Sequence, residues 1–309
     1  MHLDAREANS TGPAARAAMR LSLAVGVAMF AGKTAAWWIT GSAAILSDAL
    51  ESVVHVAAVG FAAFSMRLSA RPADERFHYG YERIAFFSAG FEGAMIVIAA
   101  LAILYTAILK WITGLELQSL GTGTLVVAAA AALNGLLGWH LIRTGRKSGS
   151  LILEANGRHV LTDCWTSVGV IVGLVLVLAT GWKPFDPICA ILVALQILWS
   201  GGQLVARSLR GLLDWADPRV EEVIRRQLDE LVWAEGAEWH GLRLRETGGR
   251  LLVEVHLLFP YEHSVGAAHA AATRVEESLA HVLERPVELV THIEAQEDHE
   301  GVHRRPHRA

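Results

Sequence analysis

Two apolar stretches of this chain carry side chains able to hold a divalent cation. SAAILSDALESVVHVAAVGFAAF (Ser42 to Phe64) contains Asp48, Glu51, Ser52 and His55, and LILEANGRHVLTDCWTSVGVIVGLVLVL (Leu151 to Leu178) contains His159 and Asp163. Carboxylate and imidazole are the oxygen and nitrogen ligands that zinc and related ions take. Each stretch is long enough to cross a bilayer. Ionisable groups inside such segments are costly, face a bundle interior or a water-filled path, and mark an ion or substrate route. At about 100° per residue, Ser52 lies roughly 40° and His55 roughly 20° from Asp48 around the helix axis, and Asp163 lies roughly 40° from His159. Each helix therefore presents a single polar stripe, and its carboxylates and imidazoles need a cation or protons for company.

The rest of the chain has to position those stripes, and it has two characters. Hydrophobic residues make up 53% of the whole. Charge is unevenly spread: roughly the last hundred residues are rich in Glu, Arg and His, while the remainder is dominated by Ala, Leu, Val, Ile and Gly, which marks a domain boundary. A formal net charge of -4 carries no footprint for nucleic acid. The two cysteines, Cys164 and Cys189, lie in different apolar segments, which excludes a disulfide framework or a Cys-rich zinc cluster. The polar amino terminus leads directly into a full-length apolar run, without a short h-region and cleavage site, so the first span is expected to be retained.

Hydropathy predicts six spans, each of about 20 or more residues: Leu21 to Gly41, Ser42 to Met66, Ile84 to Trp111, Gly121 to Leu141, Leu153 to Thr180 and Pro187 to Ala206. Glu82, Arg83 and Glu92 lie near the boundary that opens the third. Arg16 and Arg20 precede the first span; Arg67, Arg71, Arg76 and Arg83 lie between the second and third; Arg143, Arg146, Lys147 and Arg158 lie between the fourth and fifth. The opposite loops hold Lys110 and Lys183, so the positive-inside rule puts both termini in the cytoplasm. Trp37, Trp38, Trp111 and Trp182 then fall at the outer ends of spans, where an aromatic belt is expected.

Beyond Leu213 the pattern is that of a small soluble domain. Asp217 and Pro218 form an N-cap and first helical residue ahead of VEEVIRRQLDELV, with Glu221 and Glu222 suited to the helix dipole. HGLRLRE and LLVEVHLLF are alternating runs joined by Thr247-Gly248-Gly249-Arg250, a hairpin signal. A helix over about Val265 to Leu283 and a strand VELVTHIEA follow. The predicted order is helix, strand, strand, helix, strand, one sheet covered by two helices. Alternation puts Leu251, Val253, Val255 and Leu257 on one face of the second strand and Glu254 and His256 on the other. His292 and Glu294 share a face of the third strand, and His240 stands at the mouth of the first; imidazole and carboxylate make a reasonable zinc set.

Four motifs resemble the cation diffusion facilitators, a family of metal-proton antiporters that includes zinc transporters: SDALES at Ser47 to Ser52, HVLTD at His159 to Asp163, FDPI at Phe185 to Ile188 and SLRGLLD at Ser208 to Asp214. The resemblance runs from the first span to about Ala295. It implies a membrane all-α six-helix transmembrane domain followed by a small α+β ferredoxin-like (αββαβ) cytoplasmic domain. The expected plan is a cytoplasmic amino-terminal segment over 1–20, a six-span transport domain over 21–206, a linker over 207–216, a metal-responsive cytoplasmic domain over 217–296 and a His-containing disordered tail over 297–309. By resemblance the transport site lies between the second and fifth spans, with Asp48 and Ser52 facing His159 and Asp163. It further implies a homodimer in the inner (plasma) membrane, and a second, regulatory metal site at His240, His256, His292 and Glu294.

The chain departs from the family in two places. A carboxylate usually stands where Ser52 is, or in some branches a serine with an asparagine three residues later; here that later position is His55. The site then uses either Asp48, His159 and Asp163 with water, or His55 as the ligand that completes a tetrahedron. In the loop after the second span, where some members have a histidine-containing metal site, the stretch FHYGYER places Phe77 and Tyr81 at the usual histidine positions, and His78 alone cannot replace that site.

Because carboxylate and imidazole must be deprotonated to hold a metal, binding releases protons and protonation expels the ion. An inward proton gradient would then drive the metal outward. Such ligands suit Zn2+ and could admit Cd2+, Fe2+, Co2+ or Mn2+. Two other readings stay open: an intramembrane metal-dependent hydrolase, for which Glu51 is the candidate base though no HExxH motif is present, and a non-transporting metal sensor. Among the remaining groups, His140 reads as an interhelical hydrogen-bonding residue, Glu51 as facing a neighbouring helix or the dimer partner, Cys164 as packing, and His263, His269 and His281 as surface residues.

Overall fold

A computed structural model describes residues 12–40, 43–113, 122–247, 250–283 and 287–296. The tail over 297–309 lies outside them. The chain divides into two compact units, with the boundary between Leu212 and Leu213.

The larger unit is all-helical: α1 (Pro13–Thr40), α2 (Ala43–Ser69), α3 (Ile84–Thr113), α4 (Thr122–Ser148), α5 (Leu151–Thr180) and α6 (Phe185–Leu212). Among the described residues, four helices hold windows long and apolar enough to cross a membrane: α1 over Pro13–Ala35, then α3, α5 and α6. A helix satisfies its own backbone, which is why such segments take this form. Several helices outrun the apolar stretches that predict them. The extra turns carry Arg67 at the end of α2, Arg146 and Lys147 at the end of α4, and Arg210 at the end of α6, where cations suit the helix dipole. Hydropathy ends where charge begins; helical hydrogen bonding does not.

Small residues let the helices approach backbone to backbone. On the α4/α5 seam, a Cβ added at Gly138 would lie 3.0 Å from the carbonyl of Gly157, and one at Gly145 only 2.7 Å from the amide of Glu154. On the α3/α6 seam, a Cβ at Gly93 would lie 3.0 Å from the Val205 amide and 3.2 Å from the Gly201 carbonyl, and Ser208 Oγ donates a 2.6 Å hydrogen bond to the Phe86 carbonyl. One buried cluster joins Met19, Val59, Leu141, Leu153 and Val160 from α1, α2, α4 and α5; a second joins Phe86, Ile96, Leu151, Ile197 and Leu204 from α3, α5 and α6. The outer surface stays apolar, with Ile98, Leu136, Leu178 and Trp199 exposed, as lipid-facing helices require.

The smaller unit runs α7 (Pro218–Ala234), β1 (Glu238–Glu246), β2 (Leu251–Phe259), α8 (Val265–Val282) and β3 (Val287–Ala295). Asp217 caps α7, its carboxylate accepting from the Arg219 amide at 2.9 Å. The sheet order is β1-β2-β3, with β1 antiparallel and β3 parallel to β2. Ile224, Leu228 and Val232 of α7 and Ala272, Val275 and Leu279 of α8 pack on Leu251, Val253, Val255 and Leu257 of β2. The other face of β2 carries Glu254 and His256 between Leu252 and Leu258. A bulge follows His240, where Gly241 takes a φ of 67°.

Gly145 sets the closeness of the α4/α5 hairpin, and the neighbours a new methyl would meet are backbone atoms that cannot rotate aside. Gly145→Ala is expected to destabilise the helical unit by about 1–3 kcal/mol through overpacking. The measurement is the thermal transition of the purified protein; an unchanged transition would show that the hairpin can open at no cost.

Candidate metal centre

The polar stripes of α2 and α5 meet. His55, His159 and Asp163 each offer a ligand atom, and these atoms lie within 4.8 Å of one another. His55 Nδ1 stands 3.5 Å from Asp163 Oδ2, and the two imidazole rings are 5.2 Å apart and tilted by 30°. Ligand atoms about 2.0–2.2 Å from a tetrahedral zinc stand roughly 3.3–3.6 Å from one another, and the His55–Asp163 pair already stands at that spacing. Ser52 is buried one turn from His55. The side chain of Asp48 lies outside the described residues, as does that of Glu51; both belong to α2.

Hydrogen bonding sets this cluster apart from its surroundings. His55 Nδ1, His159 Nδ1 and both carboxylate oxygens of Glu92 are buried and make no hydrogen bond among the described residues. Glu92, which hydropathy leaves near a span boundary, is fully buried on α3 with Oε2 3.5 Å from His159 Nδ1. A lone carboxylate within an apolar span was the available signal; without a partner on its own helix, nothing in the sequence aims it at α5. By contrast the buried Glu154 is saturated, accepting from Arg158 and Arg207 at 2.9 Å each. Asn156 donates to Ser22 Oγ at 2.9 Å, tying α5 to α1. Cys164 packs where a Cβ at Gly135 would lie 3.1 Å from its sulfur, and His140 is exposed.

In the smaller unit the strand register assembles a second group. His240 is paired with His256 across β1/β2, and His256 with His292 across β2/β3, so three imidazoles form one row on the polar face. Glu294 reaches into it: its carboxylate is 3.0 Å from His240 Nε2 and 2.8 Å from His256 Nδ1. Ligand atoms of His240, His256 and Glu294 lie within 4.8 Å of one another. His292 stands at the edge, 3.5 Å from Glu294 and with its side chain 68% exposed. A Cβ at Gly241 would press on the His256 ring at 3.3 Å, so the glycine of the bulge both permits the turn and leaves room for the imidazole. His263, His269 and His281 are exposed.

The helical unit and the smaller unit each match a known family domain. Residues 19–213 match the cation efflux transmembrane domain, and residues 217–296 match the cation efflux protein cytoplasmic domain. The chain belongs to the cation efflux, or cation diffusion facilitator, family: it is a multi-pass membrane protein of a family that moves metal cations out. It is 34% identical over 90% of its length to the uncharacterized transporter sll1263 of Synechocystis sp., covering 89% of that protein. It is 28% identical to the zinc transporter ZitB of Yersinia pestis, with 79% of this chain and 77% of that one aligned. It is also 28% identical to the cation-efflux pump FieF of Citrobacter koseri, over 80% and 82% of the two chains. A family of transporters leaves the hydrolase reading without support.

The loop between α2 and α3 is held together without the histidines that some family members carry there. Asp74 Oδ1 accepts from the amides of Arg76 and Phe77 at 2.9 Å, and Oδ2 accepts from the Tyr81 hydroxyl at 2.6 Å. The Phe77 and Tyr81 rings lie 4.6 Å apart, tilted by 41°, and His78 turns to the Glu75 carbonyl. The Tyr81 hydrogen bond, helped by the two amides, lowers the Asp74 carboxyl below its ordinary value, and the same bond raises the Tyr81 phenol. A depressed carboxyl stabilises the loop above the usual carboxylate range and loses that effect as acid protonates it. A raised phenol stabilises it below the usual phenol range and loses that effect as base ionises it. The staple is thus expected to hold between about pH 4 and 10. Asp74→Ala should speed exchange of the Arg76 and Phe77 amide hydrogens by about five- to tenfold at neutral pH. Hydrogen exchange read by mass spectrometry checks it, and unchanged protection would mean the loop is held by its neighbours instead.

Proposed function

We propose that this protein exports a divalent cation, zinc first among them, in exchange for protons, at a site formed by His55, His159 and Asp163 with Asp48 and Ser52 of α2. The observation that carries the reading is the convergence of two imidazoles and a carboxylate, from two helices, inside an apolar bundle. Asp48 lies about two turns before His55 on the same face of α2, which puts its carboxylate on the same ion path. Nitrogen and oxygen ligands without thiolate suit zinc and leave cadmium, cobalt, iron and manganese as weaker substrates. The names of the ZitB and FieF relatives agree with a zinc or broader cation substrate. All six helices of the larger unit span the membrane in this reading, with both termini in the cytoplasm by the positive-inside rule; the linker expected over 207–216 is shorter, because α6 continues to Leu212.

The exchange follows from ligand chemistry. Deprotonated imidazoles and carboxylates bind the ion on the cytoplasmic side; when the site opens outward, protons compete for the same lone pairs and the ion leaves. Protons then return inward as the site resets. Residues 217–296 form a ferredoxin-like dimerisation module, and His240, His256, His292 and Glu294 bind metal there as a regulatory site. Their chemistry fits: Glu294 bridges two imidazoles that would exchange shared protons for a cation.

Purified protein in sealed vesicles with a zinc-sensitive dye and a pH dye inside tests the transport reading. Asp163→Ala and Asp48→Ala should each abolish coupled zinc and proton movement, and His55→Asn should weaken zinc affinity by about 10-fold or more. Near-normal flux in either aspartate variant would sink the assignment, and absence of flux in the parent protein would favour a sensor.

The second site has its own test. Zinc at about 100 times its dissociation constant should stabilise the soluble domain by about 2.7 kcal/mol, and a His256→Ala, His292→Ala double variant should lose most of that gain. A melting temperature indifferent to zinc would remove the regulatory site and leave the membrane site untouched.

A further inference from the structure

Glu92 is a buried acid to which the transport reading gives no task. Neither of its oxygens makes a hydrogen bond among the described residues, and its Oε2 lies 3.5 Å from an imidazole nitrogen, His159 Nδ1, that makes none either. A buried carboxylate is among the least favourable groups an apolar bundle can hold, and intramembrane acids mark functional positions. The backbone around it is clamped. Cβ atoms at Gly90 and Gly93, on either side of Glu92, would collide with Ser208 and press on Val205 and the Gly201 carbonyl of α6, so α3 cannot rotate Glu92 away from α5 without opening that seam.

An imidazole that ligates a metal does so through one nitrogen and carries its proton on the other, where a carboxylate or carbonyl commonly accepts it. We propose that Glu92 is a positioning residue of the transport site: its carboxylate accepts the Nδ1 proton of His159, fixes the ring and its tautomer, and leaves Nε2 to the ion. The ion site is thereby tied to α3, and through the α3/α6 seam to a helix pair that supplies no ligand. This rests on His159 being a ligand.

The test uses full-length protein in detergent, carrying His256→Ala and His292→Ala so that zinc titration by calorimetry reads the membrane site. Glu92→Gln keeps an oxygen acceptor at the same reach and should bind zinc within about threefold of the parent, while Glu92→Met, of similar length but with no acceptor, should bind about 10-fold or more weakly. The melting temperature of metal-free Glu92→Met should stay level or rise, because taking a carboxylate out of water costs more than one imidazole contact returns; a residue with a merely structural role would show the reverse, a lower melting temperature with unchanged affinity. If Glu92→Met does not fold, Glu92→Asp reads the same point: it keeps the charge but shortens the reach, and should weaken zinc binding, with parent affinity counting against the proposal. His159→Ala is the control that separates the two claims. Lost binding in His159→Ala with parent affinity in Glu92→Met overturns the role of Glu92 alone. Retained binding in His159→Ala overturns the transport site itself, and the proposal with it.

Discussion

Water is missing from the middle of an apolar helix bundle, and every polar group placed there must find its partner within the protein or in what the protein binds. Leaving a charge unpaired in such surroundings costs several kcal/mol even after relaxation. Two buried acids of the helical unit answer this constraint differently. Glu154 is met by Arg158 and Arg207 and is a finished ion pair. Glu92 meets an imidazole whose facing nitrogen makes no hydrogen bond among the described residues, beside a second imidazole in the same condition. The first arrangement is complete as it stands; the second has the form of a place for a cation and its accompanying protons.

Such a place needs walls that do not yield. Within lipid there is no hydrophobic gain from pressing one apolar helix on another, so close packing of small residues has to hold the bundle. The glycines of the α4/α5 and α3/α6 seams bring backbones within contact of each other, and interiors packed this densely transmit displacement instead of absorbing it. The polar ties run the same way: Asn156 to Ser22 joins α5 to α1, and Ser208 to the Phe86 carbonyl joins α6 to α3. Helix α5, which carries His159 and Asp163, is thus fastened to helices that add nothing to that cluster among the described residues.

The smaller unit uses similar ligand chemistry under a different constraint. Its imidazoles lie on a sheet face, partly open to water, and their relative positions come from strand pairing: residues opposite one another in neighbouring strands share a face. The buried face of β2 supplies the core on which α7 and α8 pack, so the polar face is left to carry Glu294 and the histidine row. Its groups keep the option of hydration that those inside the bundle lack.

Much of this was legible in the residues themselves. Helical periodicity put Asp48, Ser52 and His55 on one stripe and His159 and Asp163 on another, and alternation put His256 opposite the core residues of β2, because both patterns are local properties of the backbone. The Asp217 cap and the strand boundaries are local in the same sense. Sequence could not decide which stripes face each other, whether His55 joins His159 and Asp163, or that Glu92 points at α5, since those depend on how helices far apart in the chain pack. Nor could it set the register that lines up His240, His256 and His292, which hangs on the bulge at Gly241 and on the pairing of β2 with the distant β3. Local backbone geometry reads out along the chain; contact between separate elements is decided by packing, which no single element contains.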